Sequence, residues 1–267
     1  MKELREQRPA NSTETFCRGA IGYRTGIAAF TAITAERLAD LTRIRSGDRV
    51  LDLGTGPGVV AAAAAARGAR CIGLDSARGM LVEAREAVPK GLWVLGSGQQ
   101  PPFADGVADV ITAAYAFGCI APGGKLSAPL LEIMRSGGRL AFSNWDPQGC
   151  ANIQILRQAI AEYGDPAAPS PPSYPDWLFP SLETYQALMR SPGLVGGGAE
   201  IVLHHWILRS PYDLFDSLLE INPRLQGHSA VHLGRIRVAT AALAERYRQA
   251  SSISLPMQVA YGWARTA

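Results

Sequence analysis

The stretch Arg49-Val50-Leu51-Asp52-Leu53-Gly54-Thr55-Gly56-Pro57-Gly58 constrains this chain more than any other, because a buried-strand pattern runs into alternate glycines and then into the alanine-rich Val59 to Ala66. That order reads as strand, tight loop and helix. Gly54, Gly56 and Gly58 leave no Cβ where the chain reverses, so a flat ligand can lie against the backbone while the first helical amides point at it. A nucleotide-like cofactor suits such a loop. Its spacing excludes two familiar kinds: a dinucleotide fingerprint needs its third glycine where this chain has Val59, and a phosphate loop needs a G-K-[ST] that is missing. The second strand, Arg70-Cys71-Ile72-Gly73-Leu74, ends at Asp75, where a carboxylate can accept hydrogen bonds from both hydroxyls of a ribose.

With "VLDLGTGPG" as a first motif and "GLD" as a second, the sequence resembles the class I S-adenosylmethionine-dependent methyltransferases. The likeness continues through "GSGQQPPFADGVAD" from Gly96 to Asp109 and, past the strand "VITAAYAFG", through "LLEIMRSGGRLAFSNW", which makes four motifs in the family's order. The resemblance implies an α/β, Rossmann-like, seven-stranded sheet, mostly parallel with the last strand antiparallel, helices on both faces and a lid insertion. It also implies S-adenosyl-L-methionine as cofactor. Carried over position by position, cofactor contacts fall on Asp52, Gly54, Thr55, Gly56, Pro57 and Gly58 of the loop, and on Asp75 and Ser76 after strand two. Further contacts fall on Ser97, Gly98 and Gln99 after strand three, on Ala114 after strand four, and on Tyr23 in "GAIGYRTG", which with Arg24 resembles a segment that folds over the cofactor. Where the family commonly has an aspartate for the adenine amino group, Ser97 offers a neutral acceptor.

Length and composition fit a chain of this kind. At 267 residues and 47% hydrophobic content it can bury one large core, and length alone leaves one large domain or two small ones open. A net charge of +3 without a Lys/Arg-rich block argues against a nucleic-acid partner. Cys17, Cys71, Cys119 and Cys150 show neither C-x-x-C nor metal-ligand spacing, which reads as reduced thiols in a cytoplasm, and no metal is expected. The first residues are charged and no apolar run approaches ~20 residues, so neither secretion nor a membrane span is expected.

Taken in order, residues 1–20 are polar and expected to be mobile, within an N-terminal helical segment, 1–44, over the cofactor site. Ile27, Phe30, Ile33, Leu38 and Leu41 predict one apolar helix stripe packed beside strand one. The methyltransferase domain then fills 45–267, with substrate-covering insertions at about 146–181 and 210–250. Ser76 is the expected N-cap of the helix after Asp75, and strand five is expected to open into the longest irregular region, punctuated by Pro166, Pro169, Pro171, Pro172, Pro175 and Pro180. Members resembling the ubiquinone and menaquinone biosynthesis methyltransferases carry such a stretch beside the substrate cavity. That likeness places Tyr174, Trp177 and Phe179, with Trp145 at the end of strand five, against the acceptor.

The catalytic candidates are Tyr115, which the resemblance turns toward the reacting methyl, and His228 with His232, four residues apart at the turn of the second insertion. His204 and His205, adjacent in strand six, must point to opposite faces and cannot serve one site. The N/D/S-P-P-Y/F tetrad of amino-group methyltransferases is absent after strand four, where the chain reads Ala113-Ala114-Tyr115-Ala116-Phe117. The expected function is methyl transfer by in-line displacement to a small-molecule acceptor, with no nucleic acid and no membrane span, a homodimer being compatible. Two other readings stand beside it: a protein or RNA methyltransferase, and a member that keeps the cofactor without transferring methyl.

Overall fold

Strand β1 (Arg49–Leu53) is buried from Val50 to Leu53, as a strand covered on both faces must be. It pairs in parallel with β2 (Arg70–Asp75) on one side and β4 (Ala108–Ala114) on the other, and β2 pairs in parallel with β3 (Leu92–Leu95). In this computed structural model, residues 12–121, 125–168 and 181–267 are described. β5 (Met134–Cys150) adds to β4 in parallel, and β8 (Ser252–Thr266) lies antiparallel between β5 and β6 (Leu194–Leu208). The order is β3-β2-β1-β4-β5-β8-β6, with the chain's direction across the sheet reversing between β1 and β4. Ligands of open α/β sheets bind in the crevice that such a reversal leaves at the strand C-terminal ends.

Between these strands run α4 (Val59–Ala66), α5 (Arg78–Ala87), α6 (Phe117–Ile120) and α7 (Ala128–Glu132), while α3 (Ala28–Leu41) packs beside α4. Alanines at 61 and 64 let α4 sit close to the sheet, in one apolar cluster with Val50, Cys71 and Val110. The largest cluster lies beyond β4 and joins Phe30 of α3 to Trp206, Met257 and Tyr261 of the antiparallel strands and to helix α8 (Ala151–Tyr163). Helices α10 (Asp213–Leu218) and α11 (Ala230–Ala244) close over it, and α9 (Leu182–Leu188), capped by Ser181, packs against β6 and β8.

Several expectations need correction. Residues 12–20 are not a mobile lead-in: α1 (Ser12–Arg18) packs on α5, and α2 (Ala20–Thr25) lies against α3, α5 and α10, with Arg24 paired to Glu83. On α3, Ile33 is 42% exposed and falls off the buried stripe, which instead takes Thr31 and Thr34 between Phe30 and Leu38. Ser76 caps nothing. Its hydroxyl meets that of Thr13 at 3.3 Å, and Asp75 Oδ1 accepts from the Ala77 amide at 2.8 Å ahead of α5. β4 stops at Ala114 because Tyr115 takes φ +56°, a left-handed conformation that ends pairing.

The region after strand five is also less irregular than expected, since Ala151–Tyr163 is a helix seated through Ala151, Ile155, Leu156 and Ala159. That helical spacing is legible in the sequence but precedes the prolines that drew attention. The final helix ends at Ala244, and an eighth strand, β7 (Arg248–Gln249), makes a hairpin with β8 around Ala250 at φ +50°.

Candidate active site

The glycine loop is built by backbone. The amides of Gly54 and Thr55 both donate to the Leu74 carbonyl, at 2.8 and 3.0 Å, folding the loop over the end of β2. Gly54, Gly56 and Gly58 all have positive φ, of +67°, +54° and +83°. Their surroundings differ in a useful way. A Cβ on Gly54 would stand 2.4 Å from the Ala116 Cβ and one on Gly58 3.1 Å from Ala84, whereas one on Gly56 would meet nothing within 4 Å. Two glycines therefore permit close packing of β4 and α5, and the third leaves open the side of the loop where a ligand can lie.

Asp75 is held over this loop. Its Oδ2 accepts from the Gly56 amide at 2.9 Å and its Oδ1 from the Ala77 amide at 2.8 Å. Next to it, the Gly96 amide donates to the Asp75 carbonyl at 2.9 Å, which brings Ser97, Gly98 and Gln99 alongside the end of β2. Ser97 is exposed and its hydroxyl accepts from the Gln99 amide at 3.3 Å, a turn that presents the serine at the surface.

Between the loop and helices α2 and α3 lies a small, partly open cavity of about 20 Å³, lined by Tyr23, Thr31, Asp52, Gly54, Thr55, Gly56, Pro57, Val59, Val60 and Ala114. Tyr23, Asp52, Thr55, Pro57 and Ala114 are thus brought together from four separate elements. Thr31, Val59 and Val60 were not foreseen. The signal for Thr31 was a polar residue standing in an otherwise apolar helix stripe.

Asp52 is 1% exposed, and its Oδ1 accepts from the Thr112 hydroxyl at 2.8 Å. Among the described residues, its Oδ2 and the Thr55 hydroxyl have no hydrogen-bond partner. Burial pushes the Asp52 carboxyl up to about 7, against the lowering effect of the nearby Thr55 and Thr112 hydroxyls, and pushes the Tyr23 phenol up to about 12. A buried carboxyl and hydroxyl on the wall of this cavity suit a donor-bearing or cationic guest.

On the far side of Ala114, Tyr115 stacks on Trp145 with ring centres 4.0 Å apart, and its hydroxyl lies 2.5 Å from that of Thr34. Trp145 in turn stacks on Phe30 at 5.5 Å. Tyr115 and Trp145 therefore stack together beyond Ala114, and neither lines the cavity; Tyr174, Trp177 and Phe179 lie outside the described residues.

The histidine pair is placed elsewhere. α11 begins at Ala230, so His228 precedes the helix and shares no helix face with His232. His228 Nδ1 accepts from the Asp165 amide at 3.0 Å and its Nε2 faces the Arg224 carbonyl at 3.1 Å, while His232 Nδ1 sits 3.3 Å from Asp165 Oδ2 and 2.9 Å from the Ser229 hydroxyl. Both close the junction of α8 with α11, and neither lines the cavity. His204 and His205 do point to opposite faces, toward Tyr261 at 2.8 Å and Ser254 at 2.9 Å.

Comparison with known proteins bears on residues 51–142, which match the family model described as methyltransferase domain. The chain is 30% identical to a biotin biosynthesis bifunctional protein, BioHC, of Cellvibrio japonicus over 56% of this chain and 30% of that one. It is 31% identical to a demethylmenaquinone methyltransferase of Beutenbergia cavernae over 44% of this chain and 49% of that one. The chain thus spans half or less of these two relatives. Among solved structures, the YcgJ protein of Bacillus subtilis superposes with a TM-score of 0.55 at 17% identity, covering 87% of this chain and 97% of that one, a likeness of fold.

Proposed function

We propose that this chain, whose residues 51–142 form a methyltransferase domain and whose sheet is the Rossmann-like one of class I S-adenosylmethionine-dependent methyltransferases, transfers a methyl group to a small-molecule acceptor. One observation carries the reading: a small cavity at the β1/β4 reversal whose glycine loop leaves backbone open and into which the buried Asp52 carboxyl and Thr55 hydroxyl face. S-adenosylmethionine, when bound, supplies an electrophilic methyl on a sulfonium that leaves as a neutral thioether. In this reading Asp52 and Thr55 accept from the donors of its amino-acid end, Gly54 to Gly58 lie against it, and Asp75 holds the ribose hydroxyls. Ser97, Gly98 and Gln99 flank the adenine, and Ser76 borders the ribose.

The remaining work belongs to the protein's own side chains. In this reading Tyr23 covers part of the cavity, and the acceptor is aligned beside the stacked Tyr115 and Trp145, which lie beyond Ala114. Proximity and desolvation then supply most of the rate. The relatives named for demethylmenaquinone methylation support an acceptor that is a small organic molecule. The insertions at about 146–181 and 210–250 cover that acceptor in the same reading, with α8, α10 and α11 as their helical parts. Among the described residues no helix is long and apolar enough to cross a membrane. A cytoplasmic place is proposed on the free thiols of Cys17, Cys71 and Cys150, and self-association on the apolar Ile201, Leu203 and Ile207 exposed along β6.

Calorimetry with S-adenosylhomocysteine, followed by incubation with methyl-labelled cofactor and a metabolite extract, tests the reading. Binding with label in a small molecule is the expected outcome. Label confined to protein or RNA would shift the acceptor class, and binding without any transfer would leave a cofactor-holding protein that does not methylate.

A further inference from the structure

Thr112 puts a hydroxyl in the middle of a buried parallel strand, where branched apolar residues pack best and a polar group has to be paired. It is 0% exposed, and β4 is otherwise apolar from Val110 to Ala114. Its in-register neighbour on β1 is Asp52; two residues back on the same face, the corresponding pair is Val50 beside Val110. On the β2 side Asp52 is flanked by Gly73, where a Cβ would crowd the Trp93 ring. Cross-strand support for the carboxyl therefore comes from β4, as the Thr112 hydroxyl donates to Asp52 Oδ1 at 2.8 Å. Asp52 lines the cavity and Thr112 does not, so this hydroxyl can act on a guest only through the carboxyl.

The last torsion of an aspartate is soft, and a carboxyl in a cavity wall keeps one orientation where a donor fixes one of its oxygens. Such a bond also favours the ionised form. Valine, with the shape of threonine, would supply neither. The groups facing Asp52 make that help matter. Asp75 of β2 bears like charge, Tyr23 of α2 and Cys71 of β2 are acids held neutral near pH 7, and α3 and α4 offer Thr31, Val59 and Val60, without charge. No cation stands among the described residues that line the cavity.

We propose that Thr112 is a positioning residue for cofactor capture: by fixing Asp52 Oδ1 it holds the carboxylate, oriented and charged, to receive the ammonium of the cofactor's amino-acid end. The proposal rests on the methyltransferase reading and adds to it a residue outside the cavity. Near and below pH 7 Asp52 carries a proton, which goes to water as the ammonium arrives and a carboxylate–ammonium pair forms. Capture is thus coupled to proton release. Thr112 shifts the balance toward capture by stabilising the anion before the guest arrives.

Two readouts test this role. The first needs no ligand: carbon NMR of protein labelled at aspartate carboxyls, with the Asp52 signal identified by its loss in Asp52→Asn. Its titration midpoint should lie at about 7 in the wild type, rise in Thr112→Val and return in Thr112→Ser. The second is calorimetry with S-adenosylhomocysteine from about pH 6 to about pH 9. Wild-type affinity should fall toward about tenfold per pH unit on the acid side, the slope of one released proton, and Asp52→Asn should lack that slope. Near pH 7, Thr112→Val should bind about ten- to a hundredfold more weakly, the scale of one hydrogen bond to a charged group, with the deficit shrinking toward pH 9. Thr112→Ser should stay within a few-fold of the wild type. A deficit equal at every pH, a midpoint that Thr112→Val leaves in place, or a Thr112→Ser as weak as Thr112→Val would each overturn the positioning role. Should Thr112→Val not fold, Thr112→Ala takes its place in both readouts. Failure of S-adenosylhomocysteine to bind the wild type at any pH is a separate result: it removes the methyltransferase reading, and the capture role falls with it even where the ligand-free midpoint still moves.

Discussion

The two halves of the sheet meet at β4 and hold their contents by different means. On the β1–β2 side, small residues and backbone do the work: alanines bring α4 onto the strands, and positive-φ glycines shape the loop. On the β5–β8–β6 side, large side chains do it, with Phe30, Trp145, Trp206 and Tyr261 packed around a buried run of hydroxyls. In the proposed reading the first half binds by conformation and by the carboxyl groups of Asp52 and Asp75, and the second by the identity of individual side chains. Substitutions should therefore act through charge and φ in one half and through packing and hydroxyl pairing in the other.

The largest expected effect is at Asp52. Its carboxyl is raised to about 7 by burial, so the cofactor-free folded state holds a proton that the unfolded chain releases above its ordinary 3.8. The stability it contributes is full below about pH 4 and is lost as pH rises toward 7. At pH 8, Asp52→Asn should be more stable than the parent by about 2 to 4 kcal/mol, following from a shift of roughly three units, while binding cofactor more weakly. Urea unfolding at pH 5 and 8 checks it; a gap between the proteins that does not widen with pH would mean that Asp52 titrates like a solvated carboxyl.

Next comes the contrast within the loop. Gly54→Ala combines a left-handed φ with a Cβ driven against Ala116, and should lower stability by about 3 kcal/mol or more. Gly56→Ala carries the φ strain alone, about 1 kcal/mol, and its Cβ enters the ligand's space. Melting curves should separate the two, and calorimetry should find cofactor affinity reduced in the folded Gly56 variant.

Asp75→Ala removes the carboxylate held over the loop and should reduce cofactor binding by about 1.5 to 3 kcal/mol, roughly ten- to a hundredfold. Unchanged affinity in a folded variant would end the ribose assignment.

The smallest effect is a gain in the aromatic half. Tyr185 is 0% exposed, packs against Phe117 and Phe142 in one apolar cluster, and its hydroxyl has no partner among the described residues. Tyr185→Phe should be neutral or stabilising by up to about 1 kcal/mol. A clear loss of stability would mean that the hydroxyl is satisfied in solution.

The cofactor half was legible because its determinants are local. Gly54 to Gly58 and Asp75 sit within one strand–loop–helix–strand unit, and glycine at a positive φ leaves a direct mark in the chain. Ser97 was legible as a position by its distance from that unit, and the structure places it beside Asp75 as an exposed turn residue. The other half was read less well. α8 was hidden behind the prolines that follow it, and Ile33 was given a buried place that geometry assigns to Thr34 one residue later. His228 and His232 looked like a catalytic pair by spacing, yet the helix starts between them and Asp165 holds both at a helix junction.

What the sequence by itself determined is the parallel half of the sheet, the glycine loop and the carboxylate at its rim, since hydrophobic runs, glycine conformational freedom and short loops act between near neighbours in the chain. Only the tertiary structure decided that Thr34 meets Tyr115 and that Ser143, Tyr261 and His204 come together in neighbouring strands. They come from a helix and four strand or strand-end positions spread from residue 34 to residue 261, and no spacing rule links residues brought together by α3 packing on the sheet and by β8 lying antiparallel between β5 and β6.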